Sequence, residues 1–211
     1  MKRRVGPVGG IGKRSFDCAA ALAALVILSP IMLMIALLIL KTIGRPVFFA
    51  QRSFGFNSSL FTRVTFRTAI FAAHEIPRAI ADHAHANASR GTWLGNILRE
   101  KGLDELPQLL NILCGHMSFI GPQCLPASQL ATYSGDLKHY AKARPGLASL
   151  WQSGRSKNSK RSHRVSSDRY YVQRWSPALD LFILTRTVIG FRGLRDTASN
   201  QRLAPAKNFQ K

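Results

Sequence analysis

Cys18 to Leu40 is a run of 23 residues without a charged side chain, and no other feature restricts the fold of this chain as severely. As a helix it would extend about 35 Å at ~1.5 Å per residue, enough to cross a ~30 Å hydrocarbon core. It is too long for the apolar part of a secretory signal, and no small-x-small cleavage site precedes a mature domain. The run therefore reads as a membrane segment. Cations flank it on both sides: Lys2, Arg3, Arg4, Lys13 and Arg14 before, and Lys41, Arg45, Arg52, Arg63 and Arg67 after. No acid intervenes between Lys41 and Glu75. Lys and Arg favour the cytoplasmic side of a membrane, so both ends ask for the same side. A re-entrant helix-break-helix satisfies that demand, and Ser29-Pro30 stands at the midpoint. Pro removes a backbone donor, and a Ser hydroxyl re-satisfies a freed carbonyl. Midspan Pro is tolerated in straight crossings too, so the residues alone leave both geometries open.

The chain has 211 residues and a formal net charge of +20, with 46% hydrophobic residues. That length suits one domain with a core, and that hydrophobic share excludes a disordered tail. The charge implies an anionic partner: nucleic acid, an anionic membrane face or phosphorylated substrates. Nucleic-acid binding rests on charge alone, because the basic residues flank a membrane run and form no reading helix. Cys18, Cys114 and Cys124 lack metal-ligand spacing and are expected as free thiols in a reducing compartment.

From Pro46 to Thr68, aromatic and β-branched residues mixed with Arg predict two short strands around a turn at Gly55 to Ser58. Ala72 to Gly91 reads as a short helix and a loop. Its His83-Ala84-His85 lacks a third ligand and is expected as solvated loop. A helical region begins at Trp93. After Gly102, Leu106, Leu109, Leu110 and Leu113 fall at i, i+3, i+4 and i+7 of an apolar stripe. Ser153 to Arg164 reads as a basic, Ser-rich loop. A helix, a break at Ser176-Pro177 and an apolar helix from Leu179 follow, the last suited to lying on a membrane surface.

In this basic chain the acidic doublet Asp104-Glu105 stands just ahead of the apolar stripe, with Pro107 placed for the first helical turn. Carboxylates there can simply cap a helix, stabilised by its dipole. Adjacent carboxylates in a basic, membrane-apposed site can also hold Mg²⁺ while one oxygen remains nucleophilic toward phosphorus. Both readings are open on the doublet alone.

Several blocks together resemble the bacterial monotopic phosphoglycosyl transferases. They are "KRSFD", the apolar run with "SP", "GRPVFFAQRSFGFN", "TFRT", "LGNILREKGLDELPQLLNILCGHMSFIGP", "RPGLASLWQSGR" and "DRYYVQRWSPALDLFILTRT". They cover most of Lys13 to Thr187, and "LDELPQLLNIL" is the most specific. The resemblance is strongest to the galactosyl- or glucosyl-phosphate transferases of rhizobial-type exopolysaccharide assembly.

The resemblance implies a mostly α fold with a few short strands and amphipathic helices on the inner leaflet. It implies a basic segment at 1–17, a re-entrant membrane helix at 18–40 broken at Ser29-Pro30, a cytoplasmic catalytic domain at 41–192 and a tail at 193–211. The activity it implies is transfer of a hexose-1-phosphate from a UDP-sugar to undecaprenyl phosphate, at the cytoplasmic face of the bacterial inner membrane. Asp104 would be the nucleophile, carrying a covalent phosphosugar, and Glu105 would be the carboxylate on the Mg²⁺ side. Arg67, Arg99, Arg155 and Pro122 would form the phosphate and substrate site. The partners would be a UDP-sugar, undecaprenyl phosphate and inner-membrane lipids, with no nucleic acid.

The chain departs from that family's pattern at Thr65, where a Lys is expected, and at His116, Gln123 and Cys124, where Asp, Arg and Pro are expected. Thr65 and Gln123 each remove a cation. A charge-assisted contact to an anion contributes about 1.5–3 kcal/mol. These departures keep open an alternative, a catalytically weakened relative acting as an interaction or regulatory protein of polysaccharide synthesis.

Overall fold

In a computed structural model, which describes residues 6–70, 90–126, 137–153 and 161–193, the apolar run forms the greater part of helix α1, Gly10–Thr42. Where the sequence predicts a break at Ser29-Pro30, α1 continues through both residues as one helix. The local chemistry explains the continuity. Pro30 has no N–H to give the Val26 carbonyl, and the Ser29 hydroxyl donates to that same carbonyl at 2.9 Å. The side chain thus replaces the backbone bond that Pro removes.

Both ends of α1 rest on the same protein body. Near its start, Arg14 donates to the carbonyls of Ile112 and Leu113, and Lys13 pairs with Asp180. Ala21 is buried with Phe61, Leu109 and Ile112. Near its end, Ile35 and Ile39 are buried with Phe66 and Leu98. The opposite side of the helix remains apolar and exposed, with Val26 and Ile27 at 68% and 72% exposure. One side of α1 packs on protein while the other presents hydrocarbon.

The predicted strands form as β1, Phe48–Phe54, and β2, Leu60–Phe66, paired antiparallel around a 3₁₀ turn at Phe56–Ser58. Asn57 and Ser58 take positive φ there, a conformation that Asn tolerates. The cross-strand pair Phe48 and Phe66 stacks with ring centroids 5.5 Å apart. Two short strands follow, β3, Ala69–Ile70, and β4, Arg90–Gly91, which pair with each other. The expected helix and loop before Gly91, with His83 and His85, lie outside the described residues apart from β4.

Helix α2, Trp93–Glu100, is capped by Thr92, whose hydroxyl accepts from the Gly95 N–H at 3.0 Å. A 3₁₀ turn, Leu103–Glu105, intervenes before helix α3, Gln108–Leu113. The expected apolar stripe needs correction here. Leu109 is buried but Leu110 is 47% exposed, and the buried side consists of Gln108, Leu109, Asn111 and Ile112. The reason is that α3 is wedged between α1 and the edge strand β2. The Asn111 amide donates to the Thr62 carbonyl at 2.7 Å and accepts from the Val64 N–H at 3.1 Å. A polar residue is buried because it completes the open edge of a sheet.

Beyond α3 come β5, Ser118–Ile120, then β6, Leu125–Pro126, helix α4, Leu137–Tyr140, and β7, Gly146–Ala148. β6 extends the first sheet to the order β2-β1-β6, and β5 pairs parallel with β7. The parallel pair is drawn tight at two glycines. A Cβ on Gly121 would lie 2.3 Å from the Arg144 carbonyl oxygen, and one on Gly146 would lie 2.1 Å from the Gly121 nitrogen. This close approach fixes the Gly121-Pro122 turn against the Arg144-Pro145-Gly146 turn, where the Gly146 N–H donates to the Pro122 carbonyl at 2.8 Å.

The last described residues form helices α5, Leu150–Ser153, α6, Arg161–Gln173, and α7, Pro177–Gly193. The basic loop expected to reach Arg164 therefore gives way to helix at Arg161, while the break at Ser176-Pro177 forms as expected. Asp180 in α7 accepts from the Tyr171 hydroxyl at 2.7 Å and the Trp175 indole at 3.0 Å, besides pairing with Lys13. This knot ties the last helices to the start of α1. Burial and the neighbouring Asp180 carboxylate raise the Tyr171 phenol above its ordinary value.

Candidate functional site

The acidic doublet stands in the 3₁₀ turn between α2 and α3, one element earlier than a capping role in α3 would require. Gly102 opens the turn at φ 62, a left-handed conformation that Gly adopts without strain. The Glu105 N–H donates to the Gly102 carbonyl at 3.3 Å. Beneath the turn, Leu103 and Leu106 pack on the distal half of α1, beside Ile35 and Ile39. The turn that carries the carboxylates is thus anchored on α1, and both carboxylates are half-buried.

Burial sets their acidity. The Asp104 carboxyl is raised above its ordinary value mainly by desolvation, against its own backbone N–H and the charges of Arg99 and Arg63. Glu105 is pushed up to about 7, first by desolvation and then by the neighbouring Asp104 carboxylate, with Arg63 opposing. A pair of carboxylates driven up by burial and mutual repulsion is one that a cation would relieve.

The expected substrate residues divide. Arg99, exposed on α2, lies near enough for its charge to act on Asp104. Arg67 is buried, and two of its donors go to the Ala69 and Arg45 carbonyls at 2.9 and 2.8 Å. Pro122 is buried and holds Gly146 through its carbonyl. Arg155 lies outside the described residues.

Around the doublet stand polar residues of which the sequence singles out only Arg63, as a cation following the apolar run, and Cys124, as a departure from the family pattern. Arg63, on β2, donates to the Gln51 side-chain oxygen across the β1–β2 pair at 2.8 Å. Its charge acts on Asp104, Glu105 and Cys124. Arg164 of α6 donates to the Cys124 carbonyl at 3.3 Å. Cys124 is buried against the Ser53 hydroxyl, and its thiol is raised chiefly by desolvation. Gln51 and Gln108 are each 1% exposed, and their amide nitrogens have no hydrogen-bond partner among the described residues. The signal in the sequence was strand alternation, which puts Gln51 and Ser53 on one side of β1 and Arg63 and Thr65 on the facing side of β2.

Among the described residues no group of three or more His, Cys, Asp or Glu side chains is placed to hold a metal ion. The Mg²⁺ implied by the resemblance does not need one. It binds through one or two carboxylates, with waters and substrate phosphates completing its oxygen shell. The hard oxygens of Asp104 and Glu105 fit that requirement.

Comparison with known proteins gives concordant matches. The family profile described as bacterial sugar transferase matches residues 8–192. The chain is 38% identical over 196 residues to the exopolysaccharide production protein ExoY of Rhizobium meliloti (strain 1021), covering 87% of each chain. It is 34% identical over 189 residues to the UDP-galactose-lipid carrier transferase of Erwinia amylovora, covering 83% of this chain and 39% of that protein. It is 30% identical over 187 residues to the undecaprenyl-phosphate galactose phosphotransferase of Salmonella typhimurium, again covering 83% of this chain and 39% of that protein.

Proposed function

Because the chain belongs to the bacterial sugar transferase family, we propose that it transfers a hexose-1-phosphate from a UDP-sugar to undecaprenyl phosphate, early in exopolysaccharide assembly. The observation that carries this reading is the half-buried Asp104-Glu105 turn, whose leucines pack on α1 and on which the charges of Arg63 and Arg99 act.

An oxygen of the Asp104 carboxylate attacks the phosphorus that bears the sugar. The bond from that phosphorus to the bridging oxygen breaks, and UMP departs with the bridging oxygen and the electron pair. The product is an aspartyl phosphosugar. A phosphate oxygen of the lipid then attacks the same phosphorus, the aspartyl P–O bond breaks, and the Asp104 carboxylate is restored. Aspartate suits this role because acyl phosphates form and break readily. Mg²⁺, when bound by Glu105, would neutralise phosphate charge. Arg99 favours the ionised, nucleophilic form of Asp104.

Arg14 and Ile39, far apart along the continuous helix α1, both touch the body that holds the doublet; a bend at Pro30 within that helix would keep both charged ends on one side of a membrane. The flanking cations favour the cytoplasmic side for that body.

Thr65, Gln123 and Cys124 favour the alternative of a weakened family member, and one experiment separates the two. The full chain in bilayer nanodiscs is incubated with UDP-hexoses and weighed intact, then supplied with undecaprenyl phosphate. A hexose-phosphate adduct is expected, absent from Asp104→Asn and discharged by the lipid. No adduct and no UMP release from any UDP-hexose would overturn the proposal.

A further inference from the structure

We infer that Arg63 and Arg164 form a phosphate-binding cation pair in this chain, held beside the doublet by Gln51 and by the Cys124 carbonyl. The inference rests on the sugar-phosphate transfer proposed above and assigns the charges that would hold its anion.

Arg63 and Thr65 are two residues apart on β2 and share one side of the strand. Thr65 brings no charge there, and its hydroxyl reaches the Phe49 carbonyl at 3.4 Å. β2 packs against the turn that carries the doublet, and the Arg63 charge acts on both carboxylates. Gln51, opposite Arg63 in the strand register, fixes the guanidinium through its side-chain oxygen at 2.8 Å. The amide nitrogen of that same buried group has no partner among the described residues. A buried donor without a partner is costly. A phosphate oxygen received between Gln51 and Arg63 would satisfy it.

Arg164 approaches from the other side. It comes from α6, more than half the chain away from β1, and donates to the carbonyl of Cys124 at 3.3 Å. Cys124 is where the two approaches meet: the charges of Arg63, Glu105 and Arg164 all act on its buried thiol. Arg63 and Arg164 therefore stand around one small side chain next to Glu105. The Cys124 side chain there is small and buried, and desolvation raises its thiol and so favours the uncharged form. Arg67 is a poorer candidate, since two of its donors serve the Ala69 and Arg45 carbonyls. Two guanidinium groups beside a carboxylate pair match a phosphate that is itself to be held against carboxylates, because Arg binds phosphate oxygens in a planar, two-pronged manner.

The phosphate chemistry fits both the donor diphosphate and the lipid phosphate, and the test separates them. Equilibrium binding of UDP, in Mg²⁺ buffer, is measured on the full chain in nanodiscs, and binding of undecaprenyl phosphate is measured against undecaprenol. The variants are Arg63→Gln, Arg63→Lys, Arg164→Gln and Arg63→Gln with Thr65→Lys. Arg52→Gln is the control, an exposed arginine on the opposite side of β1. Loss of one charge-assisted contact lowers affinity by about ten- to a hundredfold, so that loss is expected for Arg63→Gln and Arg164→Gln. Arg63→Lys retains part of the affinity, the double variant recovers it, and Arg52→Gln leaves it unchanged. Weakened UDP binding assigns the pair to the donor; weakened undecaprenyl phosphate binding alone assigns it to the lipid. If Arg63→Gln and Arg164→Gln bind both anions as well as Arg52→Gln does, the inference is wrong. Because binding is read without turnover, this result is independent of the adduct measurement, which judges the transfer itself.

Discussion

Gly95→Ala pits helix propensity against packing, and the structure decides the sign. Gly95 lies within α2, where Ala would ordinarily stabilise a helix by about 1 kcal/mol over Gly. A Cβ added at Gly95, however, would lie 1.8 Å from the Thr68 carbonyl oxygen, 2.6 Å from its carbonyl carbon and 2.9 Å from its Cα. Ordinary contact begins near 3.4 Å, so the shortfall is about 1.6 Å against main chain rather than a flexible side chain. Thr68 has little freedom to withdraw: it is buried, and Thr92 donates to its carbonyl at 3.2 Å. Relief has to come from displacing α2, which pulls Leu94 and Leu98 from Ile35 and Ile39 on α1. Overpacking of this kind costs about 1–3 kcal/mol and sometimes more. We place Gly95→Ala at the upper end, about 2 kcal/mol net destabilised after the propensity gain. The displacement also carries Arg99 away from Asp104. Arg99 lowers the Asp104 pKa, so its withdrawal moves the acid limb of adduct formation to higher pH. Denaturant unfolding in detergent reads the first effect, and the pH profile of adduct formation reads the second. Asn96→Ala, one residue along and exposed, gains a few tenths of a kcal/mol from propensity alone. A Gly95→Ala protein as stable as wild type, with an unmoved pH profile, would refute the packing argument.

Two further outcomes are expected. With Glu105 raised to about 7 from an ordinary 4.5, the unfolded chain binds fewer protons than the folded one between those values. Stability therefore falls as pH rises through that window. Adduct formation rises over the same range as the doublet ionises, and Asp104→Asn lowers the Glu105 pKa by removing the like charge. Carboxyl infrared titration of wild type and Asp104→Asn checks this, and identical Glu105 midpoints would contradict it. Asp180→Ala strands the Lys13 ammonium and the Trp175 indole at a largely buried site. Breaking such a pair costs about 3–5 kcal/mol, a fall in melting temperature on the order of 10 °C for a chain of this size. Thermal scans of Asp180→Ala beside Asp180→Asn, which keeps the shape and an acceptor oxygen, test it by the larger loss expected for Ala.

Much of the architecture was legible because its causes are local. The apolar run sets one long helix, long and apolar enough to cross a membrane, through its length and lack of charge. Alternating aromatics set β1 and β2, Ser176-Pro177 ends one helix and starts another, and the Leu-rich stretch after Gly102 is helical. The doublet was conspicuous as adjacent acids in a chain of net charge +20.

Its surroundings were not legible, since each depends on groups far apart in the chain. A Leu periodicity is computed along one helix, yet Asn111 is buried because β2, some 47 residues earlier, offers an open edge. Arg67 looked like a substrate cation by its place in a motif, and folding turned two of its donors toward backbone carbonyls instead. Arg63 and Arg164 stand 101 residues apart and meet only where Cys124 brings β1, β2 and α6 together. Sequence by itself determined which segments are apolar, which are extended and which side chains carry chemistry, because those follow from covalent identity and short-range periodicity. Tertiary structure alone decided which cations face the carboxylates, how far burial raises their pKa, and that both ends of α1 rest on one body. Those are properties of distance and desolvation, and they come into being only when remote segments pack.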